Sequence, residues 1–267
     1  MSGSNAQACE VRFAQNGAAR IEYRVEGRGI PLMLIASTAR GTEEFGQIAA
    51  ALAAKGYRVL RPEPRGIGGS TGPMAGVTFH DFADDFAAVL RQEGGGPAIL
   101  AGHAYGNWIA RVIATDYPEL ARGVALVAAG ALQIDPALSL AIARINDPET
   151  PEAQRLADLR YAFFAEGNDP RPWLAGWHGD VLVSQRAASR ATPREEWWSA
   201  GTAPILDLLA EHDPFRPADT REETRNALGA RVTVRMIAGA SHALPVERPK
   251  ETVEAIVEWA AGLKPGG

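Results

Sequence analysis

One cysteine, Cys9, is the whole complement of a 267-residue chain. No disulfide can form within it, and a reducing compartment suits it. No apolar run approaches the ~18 residues of a membrane-spanning helix. The opening MSGSNAQACEVRF lacks the basic-then-apolar pattern of a secretory signal. Both absences predict a cytoplasmic protein with no membrane partner. Basic clusters are also missing. Lys and Arg number 27 against 32 Asp and Glu, net −5, with both signs spread along the chain. That argues against nucleic acid as a partner. The histidines at 80, 103, 178, 212 and 242 show no HxxxH or HxH spacing with carboxylate support, so no metal site is expected. No G-x-G-x-x-G follows the first strand, and no nucleotide or other cofactor is expected. There is no internal repeat and no low-complexity segment.

What is present is ordinary globular composition, 46% hydrophobic and 22% charged. The length suits a single α/β domain carrying an insertion. EVRFA and Ala19–Gly27 read as an opening hairpin. Pro31–Ser37 (PLMLIAS) is a continuous apolar run, as in a strand covered on both faces. Thr42–Gly56 reads as a helix that starts at a Thr cap and stops at glycine. YRVLRPEP, a helix at Phe79–Gln92, PAILAG, a further helix and GVALVAAG follow in turn. This strand–helix alternation predicts a mostly parallel, doubly wound sheet.

The rhythm breaks between about Leu132 and Ser199, which reads as helices and carries Tyr161, Phe163, Phe164, Trp173, Trp177, Trp197 and Trp198. It resumes with APILDLLAEHD, a helix near Asp219–Leu228, VTVRMIAGASH and a final helix at Val246–Leu263. The predicted organisation is a core of residues 1–131 and 200–267 interrupted by a helical lid, 132–199.

Four short motifs carry the chemistry. RGIGGS (Arg65–Ser70) is a tight turn after a strand. GHAYG (102–106) is a strand-to-helix turn in the G-x-nucleophile-x-G pattern. AEHDP (210–214) offers Asp213 and GASHALPVERP (239–249) offers His242, each just past an apolar strand. The carboxyl edge of a parallel sheet is where ligands bind. Asp213 there can hold the His242 imidazole in one tautomer and stabilise its protonated form. A capping aspartate and a backbone-satisfied histidine are the plain alternative.

In this order, and across essentially the whole chain, these motifs resemble the α/β-hydrolase fold superfamily. The resemblance implies Asp213 as the acid, His242 as the base and Ala104 at the nucleophile position. It implies the amides of Thr38 and Tyr105 as the oxyanion hole. Two departures stand out. Alanine cannot attack a carbonyl, so Ala104 marks either an exchanged serine or a lineage without the nucleophile. GHAYGN also resembles a subgroup with alanine at this position. Second, Ala36-Ser37-Thr38-Ala39 stands where the family often reads His-Gly, and Ser37 restricts that loop. A single serine exchange does not account for this second change.

His103 beside the elbow reads as packing and hydrogen bonding rather than a second acid or base. Ser37, Trp173, Trp177 and Trp197 are expected to bind substrate, with at least two lid aromatics lining the pocket. Core packing is the competing role for each tryptophan. Arg160, Arg186, Arg190 and Arg194 read as a solvated face, and nothing in the sequence selects one as the partner of a substrate anion. The expected activity is on a small, largely apolar ester or lactone. A cofactor-free lyase, isomerase or oxygenase-like enzyme using the Asp213–His242 base is the alternative, and a non-catalytic small-molecule binder the third reading. A homodimer stays open as the assembly.

Overall fold

The computed structural model describes residues 9–263. Its strands are β1 (Glu10–Asn16), β2 (Ala19–Gly27), β3 (Ile30–Ile35), β4 (Tyr57–Pro62), β5 (Ala98–His103), β6 (Ala121–Val127), β7 (Ile205–Ala210) and β8 (Val232–Ile237). Among the described residues they form one sheet in the order β1-β2-β4-β3-β5-β6-β7-β8. β1 and β2 are the expected antiparallel hairpin, β2 runs antiparallel to β4, and all the remaining neighbours are parallel. AILAGH in β5 and ILDLLA in β7 are buried at every position, which their largely apolar character requires.

The helices are α1 (Gly46–Ala54), α2 (Phe79–Gln92), α3 (Gly106–Asp116), α4 (Pro136–Asn146), α5 (Glu152–Ala162), α6 (Gly179–Ala191), α7 (Glu223–Leu228), α8 (Leu244–Glu247) and α9 (Pro249–Ala261). α2 buries Phe79, Phe82, Phe86 and Leu90, a helical spacing, into the same core as Ile109 and Val112 of α3. Ile48 and Leu52 of α1 join Val253 and Ile256 of α9 in a second core. The sheet is therefore covered on both sides, and the doubly wound reading holds.

Helix starts follow their chemistry. Thr78 and Asp81 form a reciprocal capping box at α2, worth about 1 kcal/mol. Thr42 does not cap α1 as expected. Its hydroxyl donates to the buried Glu63 at 2.6 Å, and Thr42–Phe45 form a 3-10 turn before α1. The expected helix at Asp219–Leu228 shrinks to a 3-10 turn and the short α7. The expected final helix divides into α8 and α9 at Arg248, whose φ of −135° is non-helical. The residue before a proline, here Pro249, is pushed out of the α region.

Between β6 and β7 the chain adds no strand, only α4, α5, α6 and 3-10 turns. Leu138, Ile145, Leu159, Phe163 and Trp173 of this insertion share a core with Phe215 and Ala243 from the loops after β7 and β8. Polar clips tie it to the sheet domain. Ser184 donates to Met74 O at 2.7 Å, Phe79 N donates to Thr192 Oγ1 at 2.9 Å, and His178 N donates to Ala39 O at 3.0 Å. Among the described residues, no helix is long and apolar enough to cross a membrane.

Candidate active site

β5 runs into α3 through a turn whose tip is Ala104, at φ +47°. An L-residue in this left-handed region carries a cost of about 1–2 kcal/mol. The two glycines are obligatory. A Cβ on Gly102 would stand 2.2 Å from Gly106 O, and one on Gly106 would stand 2.3 Å from Ile35 O. The turn thus holds a strained residue at its tip, and that residue carries only a methyl group.

His242 emerges after β8 and Asp213 after β7. His242 Nδ1 donates to Asp213 Oδ2 at 2.8 Å, while Asp213 Oδ1 accepts the Phe215 amide at 2.8 Å. The Phe215 ring stacks on the His242 imidazole with centroids 4.0 Å apart. Arg216 anchors the loop from below, donating to Asp207 Oδ2 on β7 at 2.8 Å and to Thr224 Oγ1 at 3.0 Å. With Nδ1–H committed to Asp213, His242 Nε2 is left as a proton acceptor.

These groups meet at a cavity of about 480 Å³ whose lining includes Ser37, Thr38, Ala104, Tyr105, Trp108 and His242. The sheet supplies this floor. The insertion supplies the roof, with Leu182, Gln185 and Arg186 of α6 facing Ile142 and Ala143 of α4 across the space. Among the described residues, neither the Thr38 nor the Tyr105 amide is donated to another protein group, so both are free to receive an oxyanion. The loop that carries Thr38 is held from the insertion. Gln185 Oε1 accepts the Ala39 amide at 2.8 Å and the Thr38 hydroxyl at 3.2 Å. Such a set can polarise a carbonyl and activate a hydroxyl or a water beside it. Among the described residues, no cluster of three or more His, Cys, Asp or Glu is placed to hold a metal ion.

His103 points away from the cavity. Its Nε2 donates to the His242 carbonyl at 2.7 Å, and its Nδ1 lies 3.5 Å from Glu44 Oε1. Burial opposes the charged form of Glu44, but Arg40, at 2.6 Å, and His103 hold its carboxyl below the usual value. The Arg40 guanidinium lies over the rings of Trp173 and Trp177, at 4.2 and 4.8 Å from their centroids.

That packing corrects the expectation for the tryptophans. Trp173 and Trp177 cover the Arg40–Glu44–His103 cluster and pack on Phe163. Trp197 lies against Phe79 and Trp108, in the core behind the cavity wall. None of the three lines the cavity, and of the lid aromatics named above only Phe163 does. Their large rings are taken up in joining the insertion to the sheet domain. Trp108 and Phe215, beside the expected Tyr105, supply the cavity's other large aromatic walls. The first was readable as one helical turn beyond Ala104, the second as two residues past Asp213. Gln185 and Arg216 had no such signal, because nothing in their local sequence marks the partners they reach.

The sequence matches the family described as "Alpha/beta hydrolase family" over residues 37–255. The chain belongs to that family. Protein ABHD8 of Bos taurus is 25% identical over 218 residues, 76% of this chain and 49% of that protein. The chain thus spans about half the length of that relative. Epoxide hydrolase A of Mycobacterium tuberculosis is 24% identical over 273 residues, covering 80% of this chain and 85% of that one. The solved structure of E-2-(acetamidomethylene)succinate hydrolase superposes with a TM-score of 0.78 at 21% identity, covering 96% of this chain and all of the other. At that identity the likeness is one of fold.

Proposed function

We propose that this protein hydrolyses a small, largely apolar ester or lactone without an acyl-enzyme, His242 activating a water for direct attack on the carbonyl. The observation that carries this reading is the methyl group of Ala104 at the elbow tip, in the same cavity as the Asp213-oriented imidazole. A base without a protein nucleophile beside it acts on a water or on the substrate itself.

His242 Nε2 takes the proton as the water oxygen bonds to the carbonyl carbon. The oxyanion falls to the Thr38 and Tyr105 amides. Collapse of the tetrahedral intermediate breaks the bond to the leaving oxygen, which takes the proton back from Nε2. Asp213 stabilises the transient imidazolium. No cofactor enters this scheme, and the partner it needs is the small-molecule substrate alone. Similarity to epoxide hydrolase A supports water as a reactant, and the apolar walls of the cavity support an apolar substrate body.

The test is steady-state and pre-steady-state hydrolysis of short-chain 4-nitrophenyl esters by the Ala104 protein. Turnover with no stoichiometric burst is expected, and it should disappear in His242→Ala. Full activity in His242→Ala, or no turnover of any ester in the series by the parent protein, overturns the proposal.

A further inference from the structure

α6 lies across the roof of the cavity, and its exposure there is not uniform in charge. Leu182, Gln185, Arg186, Ser189 and Arg190 recur at helical spacing along its cavity face. Gln185 marks the end that touches the oxyanion loop. Arg190 follows five residues later, about 7.5 Å along the helix axis at 1.5 Å per residue. Among the described residues, no carboxylate lines the cavity, although the chain as a whole is acidic at net −5. Arg186 makes one long hydrogen bond, 3.3 Å to the Ser139 carbonyl on α4. Among the described residues, neither it nor Arg190 is paired with an acid.

Arg186 is half-buried and Arg190 exposed, so the two guanidiniums stand at the open rim of an acid-free cavity. Each presents planar donors matched to a carboxylate, and at this solvent-open rim the attraction is partly screened by water and salt. Cations set on one face of a pocket and left unneutralised by the protein are suited to a charge the ligand brings.

We infer that Arg186 and Arg190, with the Ser139 and Ser189 positions between them, form an anion subsite, and that the substrate carries a carboxylate there. The inference rests on the hydrolytic reading of the cavity and narrows it. The substrate is an acyl compound with its scissile carbonyl at Ala104 and His242 and a carboxylate at the far end, separated from it by a short apolar spacer. Neutral esters of the same shape are then the poorer substrates.

Equilibrium binding tests this without turnover. The probes are 4-phenylbutyrate and its neutral isostere 4-phenylbutanamide, followed by calorimetry. The carboxylate is expected to bind about tenfold more tightly than the amide, as a charge-assisted pair implies, and the preference should shrink in high salt. The double variant Arg186→Gln, Arg190→Gln keeps helix propensity and should bring the two probes to equal affinity, while Arg190→Lys on the parent background should retain part of the preference. No charge preference in the parent, or a preference that persists in the double variant, overturns the subsite. An arginine-dependent preference in a protein that hydrolyses no ester would instead keep the subsite and remove the hydrolase reading.

Discussion

Gln185 Oε1 accepts the amide of Ala39 at 2.8 Å, joining an insertion helix to the loop that follows β3. Ala39 itself is fully buried and sits at φ +56°, so the bond fixes a strained residue directly beside Thr38. Where the family often has His-Gly, this loop is held by an acceptor from the other layer of the molecule.

Replacing Gln185 by Leu should therefore misplace the Thr38 amide. It leaves the buried Ala39 N–H unpaired, a cost of about 1–3 kcal/mol. We expect kcat to fall by about 10–100-fold with a smaller change in KM, because in the proposed mechanism the amide acts on the oxyanion of the transition state. Gln185→Glu keeps the acceptor and should recover most of the loss. Equal effects on kcat and on thermal stability in both variants would reduce Gln185 to a packing residue.

Asp213→Asn should leave the loop in place, since the Oδ1 bond from Phe215 N survives. The imidazole, however, loses the acceptor that fixes its tautomer. Activity should drop on the order of 1000-fold while the melting temperature changes little. Nearly full turnover in this variant would show that the His242–Asp213 contact is structural only.

His80 gives a pH-dependent link between layers. Its ring lies between Asp116 at 2.6 Å, at the end of α3, and Glu196 at 3.1 Å, in the insertion. Desolvation of the ring opposes protonation, yet the bonds to Asp116 and Glu196 outweigh it and raise its pKa above the ordinary 6.5. A group whose folded-state pKa is raised stabilises fully below its unfolded value and loses that contribution as pH rises through the folded value. The stability difference between the parent and His80→Gln should thus be largest near about pH 5.5 and shrink toward alkaline pH. Denaturant unfolding at several pH values checks it, and a difference that grows with pH would contradict the assignment.

What was legible in the sequence was whatever depends on local pattern. Apolar runs marked β3, β5 and β7, and Gly102 with Gly106 marked the elbow because no other residue fits between those backbones. Asp213 and His242 were legible as polar residues just past apolar strands. The tryptophans misled because ring size alone does not say which side of a wall a ring faces. Trp173 and Trp177 are claimed by Arg40 from a loop more than a hundred residues away. Arg186 and Arg190 read as a solvated face, and Arg190 is exposed; what helix periodicity could not reveal is that this face borders the cavity, because the neighbour opposite comes from another helix.

The elbow itself can be relaxed. Ala104 adopts φ +47°, which glycine reaches without the Cβ penalty. Ala104→Gly should raise the unfolding free energy by about 1 kcal/mol, less the unfolded-state entropy that glycine adds. A clear loss of stability on chemical denaturation would mean that the methyl group's packing, with the residue only 8% exposed, outweighs the strain.

Ala104→Ser asks the sharpest question of the site. The tip of the turn would then carry an Oγ in the cavity that holds His242, and the base could take the hydroxyl proton instead of a water's. We expect a 4-nitrophenyl ester to give a stoichiometric burst and an acyl adduct, located at residue 104 by peptide mass spectrometry. Turnover beyond the burst depends on the same His242 deprotonating a water for deacylation, so His242→Ala in the serine background should abolish both phases. Direct attack by water in the parent and covalent catalysis in the variant would then share one base and one oxyanion site. A serine variant that stays folded, binds ester and never acylates would place the fault in the Ala36–Ala39 loop, whose backbone is restricted where the family often carries glycine. Combining Ala104→Ser with Ser37→Gly should restore the burst in that case, and failure of the double variant would show that the residue 104 side chain is not aimed at the base.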